Sequence, residues 1–180
     1  MGSETHVMLD LETLGTAPGS VILSIGAVKF GNGGITSRFH THIKPASCEQ
    51  VGLVTDISTM MWWLEQSDEA RRALISGQKE AVSLQGALAA FNGWLAGLEV
   101  DVSLRRIWGN GASFDCALLA AAHRHADMRL PWRYSGERCY RTVKALNPQV
   151  VEDARDGTHH DALADAEHQA KHLMKILPEI

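Results

Sequence analysis

The chain has 180 residues, 45% of them hydrophobic, with no compositional shift along its length, which fits one domain over 1–180 with a full-sized core and excludes a low-complexity or disordered protein. Its apolar runs fall far short of the roughly 18 residues a membrane span needs, and its start lacks the basic-then-apolar order of a secretory signal, so a cytoplasmic protein is expected. A net charge of −4 gives no basic footprint for a polyanion, although divalent ions held among acids would reverse that balance locally.

Residues 1–5 read as a short polar lead. From His6 the sequence runs His-Val-Met-Leu-Asp-Leu-Glu-Thr-Leu-Gly, an apolar strand that ends on two carboxylates. A turn cluster at Thr16-Ala17-Pro18-Gly19 precedes a second strand, Val21 to Phe30. Gly31-Asn32-Gly33-Gly34 is a tight-turn signal, and Ile35 to Ile43 alternates as a third strand. Three strands on short loops make an antiparallel meander. Pro45 to Thr55 has no period and reads as a loop; Ser58 to Leu74 is helical, with Ser67-Asp68 capping a second short helix.

Leu84, Leu88, Phe91, Leu95 and Leu98 recur at spacings of three and four, which predicts an amphipathic helix ending near Gly97. Arg106 to Asn110 suits a fourth strand. Ser113 is read as the cap of a helix reaching His125, Glu137 to Tyr140 as a last strand, and Arg141 to Leu146 as a helical turn. Asp161 caps a final helix through Leu177, with Ala162, Ala166, Ala170, Leu173 and Leu177 on one stripe. Cys48, Cys116 and Cys139 have neither disulfide nor zinc spacing and read as buried free thiols. The expected architecture is α/β, a mixed five-stranded sheet flanked by helices: a three-strand antiparallel meander plus two parallel strands.

On a strand Met8, Asp10 and Glu12 share one side and Val7, Leu9 and Leu11 the other. Two ionised carboxylates roughly 7 Å apart at the end of a core strand repel each other and lose hydration unless a cation sits between them. The competing reading ends the strand at Leu9 and leaves both acids solvated in a loop. Asp115 and Asp165 each fall in a first helical turn, where the helix dipole alone favours an acid. Residues five apart on a helix differ by about 140°, so His160 and Asp165 can serve one site only if His160 precedes the helix. Singly each acid has a bland explanation. Together they come from three segments and gather beyond strand ends on one edge of the expected sheet, where ligands collect in such folds.

Asp-x-Glu on a first strand, a mid-chain Asp, and His-x-x-x-x-Asp near the C-terminus resemble the DEDDh 3′-to-5′ exonucleases, which have an RNase H-like fold. The positions here are Asp10, Glu12, Asp115, His160 and Asp165. Thr13-Leu14-Gly15 stands where many members have Thr-Thr-Gly, and the tandem Trp62-Trp63 is similar to an exonuclease VIII-like or 3′-to-5′ exoribonuclease subgroup. The resemblance implies two Mg²⁺ or Mn²⁺ ions per site, about 4 Å apart, clamping the scissile phosphate. It implies that Asp10 bridges both ions, that Glu12 and Asp165 serve the nucleophile side, Asp115 the leaving-group side, and that His160 takes the water proton. His159 competes with His160 on adjacency alone.

Thr13 and Leu14 are expected at the terminal nucleotide, Leu14 as an apolar wedge between the last two bases. One of Trp62 and Trp63 would stack on a base, and Asn110 and Ser113 would bond a phosphate or the Asp115 carboxylate. Arg133, Arg138, Arg141 and Lys144 form the densest basic stretch. The implied partners are 3′ ends of single-stranded RNA or DNA, with release of 5′-mononucleotides, and a homodimer is common among related enzymes. Two alternatives stand beside this reading: a nucleic-acid-binding module of the same fold with little turnover, and an all-helical metal-dependent phosphohydrolase using His160-Asp161.

Overall fold

β1 (Thr5–Thr13) runs through the middle of a five-stranded sheet in the computed structural model, which describes residues 4–98, 101–155 and 160–180. Val7, Met8 and Leu9 are wholly buried, as befits a strand covered on both faces. β2 (Ile22–Gly31) and β3 (Gly34–His42) pair antiparallel on one side of it. β4 (Arg105–Gly109) and β5 (Glu137–Cys139) pair parallel on the other, giving the order β3-β2-β1-β4-β5. This is the expected mixed α/β sheet, and it rules out the all-helical alternative.

The chain between β3 and β4 forms α1 (Pro45–Glu49), α2 (Ile57–Glu65), α3 (Asp68–Gly77) and α4 (Leu84–Leu98). α5 (Asp115–His125) follows β4, and α6 (Tyr140–Leu146) and α7 (Ala162–Ile176) complete the described helices. On one face Val7, Leu9, Leu11, Ile25 and Ile107 pack with Leu84, Leu88, Phe91 and Leu95 of α4 and Leu118 and Leu119 of α5. On the other, Met8, Val28 and Trp108 pack with Tyr140 of α6 and Ala166, Ala170 and Leu173 of α7. The alternation along β1 therefore sorts its side chains between two cores, and Asp10 and Glu12 continue the row that starts with Met8, on the α7 side.

Four sequence expectations need correction. The lead is shorter than 1–5, because Thr5 is buried and paired with Arg105. The stretch after Pro45 is not all loop: proline, whose missing N–H costs nothing in a first turn, opens the five-residue α1. Ser113 is exposed and does not cap α5; the amides of Phe114 and Asp115 instead bond back to the Gly111 carbonyl at 2.7 and 3.2 Å, and Asp115 is the first helical residue. Cys48 and Cys116 are buried free thiols, but Cys139 is only half-buried. The cap at Asp161 is as expected, its carboxylate accepting from the Ala164 amide at 2.9 Å. Among the described residues no helix is long and apolar enough to cross a membrane.

Candidate active site

Asp10 lies opposite Gly26 in the β1–β2 pairing, and Gly26 admits the N-terminus of α7. A Cβ at Gly26 would run into the Ala162 carbonyl and the Leu163 amide, so the bare strand lets the first turn of α7 sit directly on the sheet. That contact brings Asp165 and Gln169, four residues apart and so on one helix face, alongside Asp10. Gln169 is buried and donates its amide N–H to Asp10 Oδ1 at 2.8 Å. On the parallel side, a Cβ at Gly109 would come within 2.7 Å of Asp115 Oδ2 and 2.9 Å of its Cβ, so β4 ends on a glycine because the Asp115 side chain lies against it.

The result is one pocket of about 380 Å³ lined by Asp10, Glu12, Asp115 and Asp165 with His160. Asn110, Phe114, Arg141, Arg155 and Gln169 complete most of its wall. Among the described residues, Glu12, His160 and Asp165 each present a ligand atom, all within 4.8 Å of one another. His160 stands just before the Asp161 cap with φ +62°, a left-handed backbone that turns the chain into α7 from outside the helix. His160 and Asp165 can therefore share a pocket despite their five-residue spacing. His159 lies outside the described residues.

Crowding of like charge dominates the electrostatics. Burial first, then the charges of Asp115, Glu12 and Asp165, push the Asp10 carboxyl well above its ordinary range, and the Gln169 hydrogen bond only partly opposes this. Burial, followed by Asp165, Asp161 and Asp115, pushes Glu12 up to about 8; the nearby Arg155 pulls the other way. Asp115 is pushed up to about 7 by burial, against backbone hydrogen bonds from Asp115, Asn110 and Leu11. Its Oδ2 is buried and has no hydrogen-bond partner among the described residues. Acids that cannot ionise together in their own company, an orphaned carboxylate oxygen and an all-oxygen donor set beside an imidazole fit hard divalent cations.

The expected substrate residues are distributed unevenly. Trp63 is buried and its Nε1–H donates to the Thr13 carbonyl at 2.9 Å, while Trp62 is 41% exposed. Both rings pack edge-on to His160, with centroids 5.0 and 5.9 Å away. Both also line an adjoining apolar pocket with Leu11, Glu12, Thr13 and Phe114. Thr13 is buried, its hydroxyl donating to the Gly15 carbonyl at 2.7 Å, and Leu14 packs partly against the core. Asn110 reaches the acid pocket; Ser113 does not line it.

Of the basic stretch, Arg141 alone lines the acid pocket, donating to the Asn110 carbonyl at 2.6 Å. Arg138 bonds the carbonyls of Ser135 and Glu137, and Lys144 pairs with Glu152. Arg155, Gln169 and the two glycines escape the sequence reading. Gln169 is detectable from its i+4 spacing to Asp165, whereas Arg155 sits in a segment with no period.

The sequence matches the 3′-5′ exoribonuclease Rv2179c-like domain family over residues 5–177. No curated protein sequence matches it at a significant level. Among solved structures, the nuclease domain of 3′hExo, a DEDDh family member bound to rAMP, is 12% identical with a TM-score of 0.66, covering 98% of this chain and 92% of that one. E. coli exonuclease I in complex with a dA16 oligonucleotide is 16% identical with a TM-score of 0.64, covering 98% of this chain but only 42% of that longer one. Cell-death related nuclease 4 is 13% identical with a TM-score of 0.64, covering 98% and 64%. At such identities these likenesses establish the fold alone. With nearly its whole length matched, the chain belongs to the 3′-5′ exoribonuclease Rv2179c-like domain family.

Proposed function

We propose that this chain hydrolyses single-stranded nucleic acid from its 3′ end, RNA in the first instance, releasing 5′-mononucleotides in a metal-dependent reaction. The observation that carries the reading is the meeting of four carboxylates, from β1, α5 and α7, and one imidazole, from the turn just before α7, in a single pocket. Asp10, Glu12, Asp115 and Asp165 would hold two Mg²⁺ or Mn²⁺ ions. When bound, these ions supply the positive charge that lets the acids ionise together, polarise the attacking water and stabilise the leaving 3′ oxygen.

The remaining steps fall to the chain's own groups. An imidazole nitrogen of His160 takes the proton as water attacks the terminal phosphorus, the general-base task that histidine performs most often among side chains. The bond to the penultimate 3′ oxygen breaks, and the terminal nucleotide departs with a 5′-phosphate. Trp62, exposed at the mouth of the adjoining pocket, offers a face on which the terminal base stacks. Trp63 holds Thr13 and Leu14 in place through the Thr13 carbonyl.

End-labelled RNA and DNA strands, incubated with Mg²⁺, Mn²⁺ or chelator and resolved on a gel, test the reading. A ladder shortening from the 3′ end, abolished by chelator, is expected. His160→Ala should slow turnover while leaving Mn²⁺ binding by calorimetry largely unchanged. Tight strand binding with no cleavage by the wild type in either metal would favour the binding-module alternative.

A further inference from the structure

Arg155 enters the acid pocket from the segment after α6, and its Nη1 pairs with Asp165 Oδ1. Only 28% and 11% of the two side chains are exposed. The stretch just before Arg155 is tied to the helices beneath. Glu152 accepts from the Tyr140 hydroxyl at 3.2 Å, meets His168 Nε2 at 3.1 Å and pairs with Lys144, while Lys175 Nζ donates to Asp153 at 2.6 Å. Those four contacts set the chain down beside α7, with the guanidinium over Asp165.

A guanidinium does not give up its proton in a protein, so Arg155 is neither acid nor base. It is a fixed positive charge beside Glu12 and on Asp165, in the pocket where the proposed function calls for a divalent cation. The oxygen that accepts its N–H cannot offer the same electron pair to a metal. Arg141, across the pocket, differs: it bonds the Asn110 carbonyl, not a carboxylate.

We propose that Arg155 is the resident counter-ion of this pocket, competing with divalent metal for Asp165 and, once displaced, pairing with a phosphate of the bound strand. The inference rests on the nuclease reading above. Phosphate suits the displaced group, because its oxygens accept two parallel guanidinium N–H bonds. A strand that engages Arg155 removes the metal's competitor, and by linkage metal binding must favour the strand equally. Metal and substrate then load together, and an empty pocket keeps its acids neutralised.

Calorimetric titration of Mn²⁺ into the full chain, with and without 5′-UMP, tests this in wild type, R155Q, R155A and R155K. Without nucleotide, the neutral variants should bind Mn²⁺ about threefold to tenfold more tightly than wild type, the worth of one partly buried ion pair. R155K, which keeps the charge, should stay within about twofold of wild type on the same scale. 5′-UMP should tighten Mn²⁺ binding in wild type by more than in R155Q. Unchanged or weaker Mn²⁺ binding in both neutral variants, with melting in chelator showing them folded, overturns the competition. Equal nucleotide effects in wild type and R155Q overturn the phosphate exchange. A wild type that binds no Mn²⁺ brings down the nuclease reading as well, whereas a wild type that binds it beside neutral variants that do not gain sinks this inference alone.

Discussion

Asp115 and Asp165 both stand in the first turn of a helix and line the same pocket, yet the protein surrounds them differently. Asp115 is 2% exposed, pressed against Gly109, and its Oδ2 has no partner among the described residues. Asp165 sits at the pocket wall against a guanidinium. Equivalent positions in sequence thus give one acid whose charge is held in suspense by burial and one whose charge is already answered. The fold tolerates the first only because its carboxyl can stay protonated until a cation arrives.

Neutral isosteres break this comparison most sharply. Asp115→Asn and Asp165→Asn should each reduce hydrolysis by about a thousandfold or more, since each removes a proposed metal ligand. Their effects on the metal-free fold should differ in sign. Asp115→Asn removes a costly buried acid and should leave melting in chelator at neutral pH unchanged or higher, whereas Asp165→Asn strands Arg155 beside an amide and should lower it. Melting curves in chelator decide this, and a shared direction would undo the contrast.

The two sides also rest on different glycines. The Cβ added by Gly109→Ala meets the Asp115 side chain at 2.7 Å, whereas that added by Gly26→Ala meets the backbone of α7 closer still, at 2.1 Å. Gly26→Ala should therefore cost the larger share of stability, about 1–3 kcal/mol as in other overpacked cores. It should weaken Mn²⁺ binding by lifting Asp165 and Gln169 away from Asp10. Calorimetry and melting of both variants check the order, and equal effects would mean the α7 contact yields more easily than its backbone character allows.

Much of this arrangement is legible in the sequence, and the missing parts share a cause. The β1 alternation, the acid pair at its end and the placing of His160 before a helix that bears Asp165 follow from local periodicity. α1 is hidden because five residues carry no period. Ser113 imitates a cap, but the Gly111 carbonyl takes the amides first. Gly26, inside an apolar strand, announces a close approach without saying what approaches. Arg155 lies 10 residues from Asp165 in an unpatterned segment, so only the anchoring of Glu152 and Asp153 reveals where it points.

A smaller effect should appear as a pH dependence of the metal-free protein. The Glu12, Asp115 and Asp10 carboxyls all sit higher in the fold than in the unfolded chain, where such groups titrate near about 4. The folded state therefore binds more protons, and its stability falls as pH rises. That contribution is complete below about 4 and is lost through the window up to 7 and 8 set by Asp115 and Glu12. Melting in chelator should drop by several degrees, on the order of 5 °C, between pH 5 and 8.5. Mn²⁺ should restore more at the upper end, and a flat profile in chelator would show that the acids are better solvated than their burial implies.

The tandem tryptophans give the smallest expected changes and connect the comparison to substrate. Trp63 is part of the core and bonds the Thr13 carbonyl, so Trp63→Phe keeps most of the packing and loses one hydrogen bond, about 0.5–1.5 kcal/mol of stability. Trp62 is exposed beside His160 and carries no such bond from its indole N–H among the described residues, so Trp62→Phe should leave melting unchanged. Its smaller ring should raise KM by roughly twofold to fivefold, part of a base-stacking interaction, with little change in kcat. If Trp62→Phe instead lowered kcat with KM intact, the indole would be holding the His160 ring in place and not the terminal base, and the Asp165 side of the pocket would extend to α2.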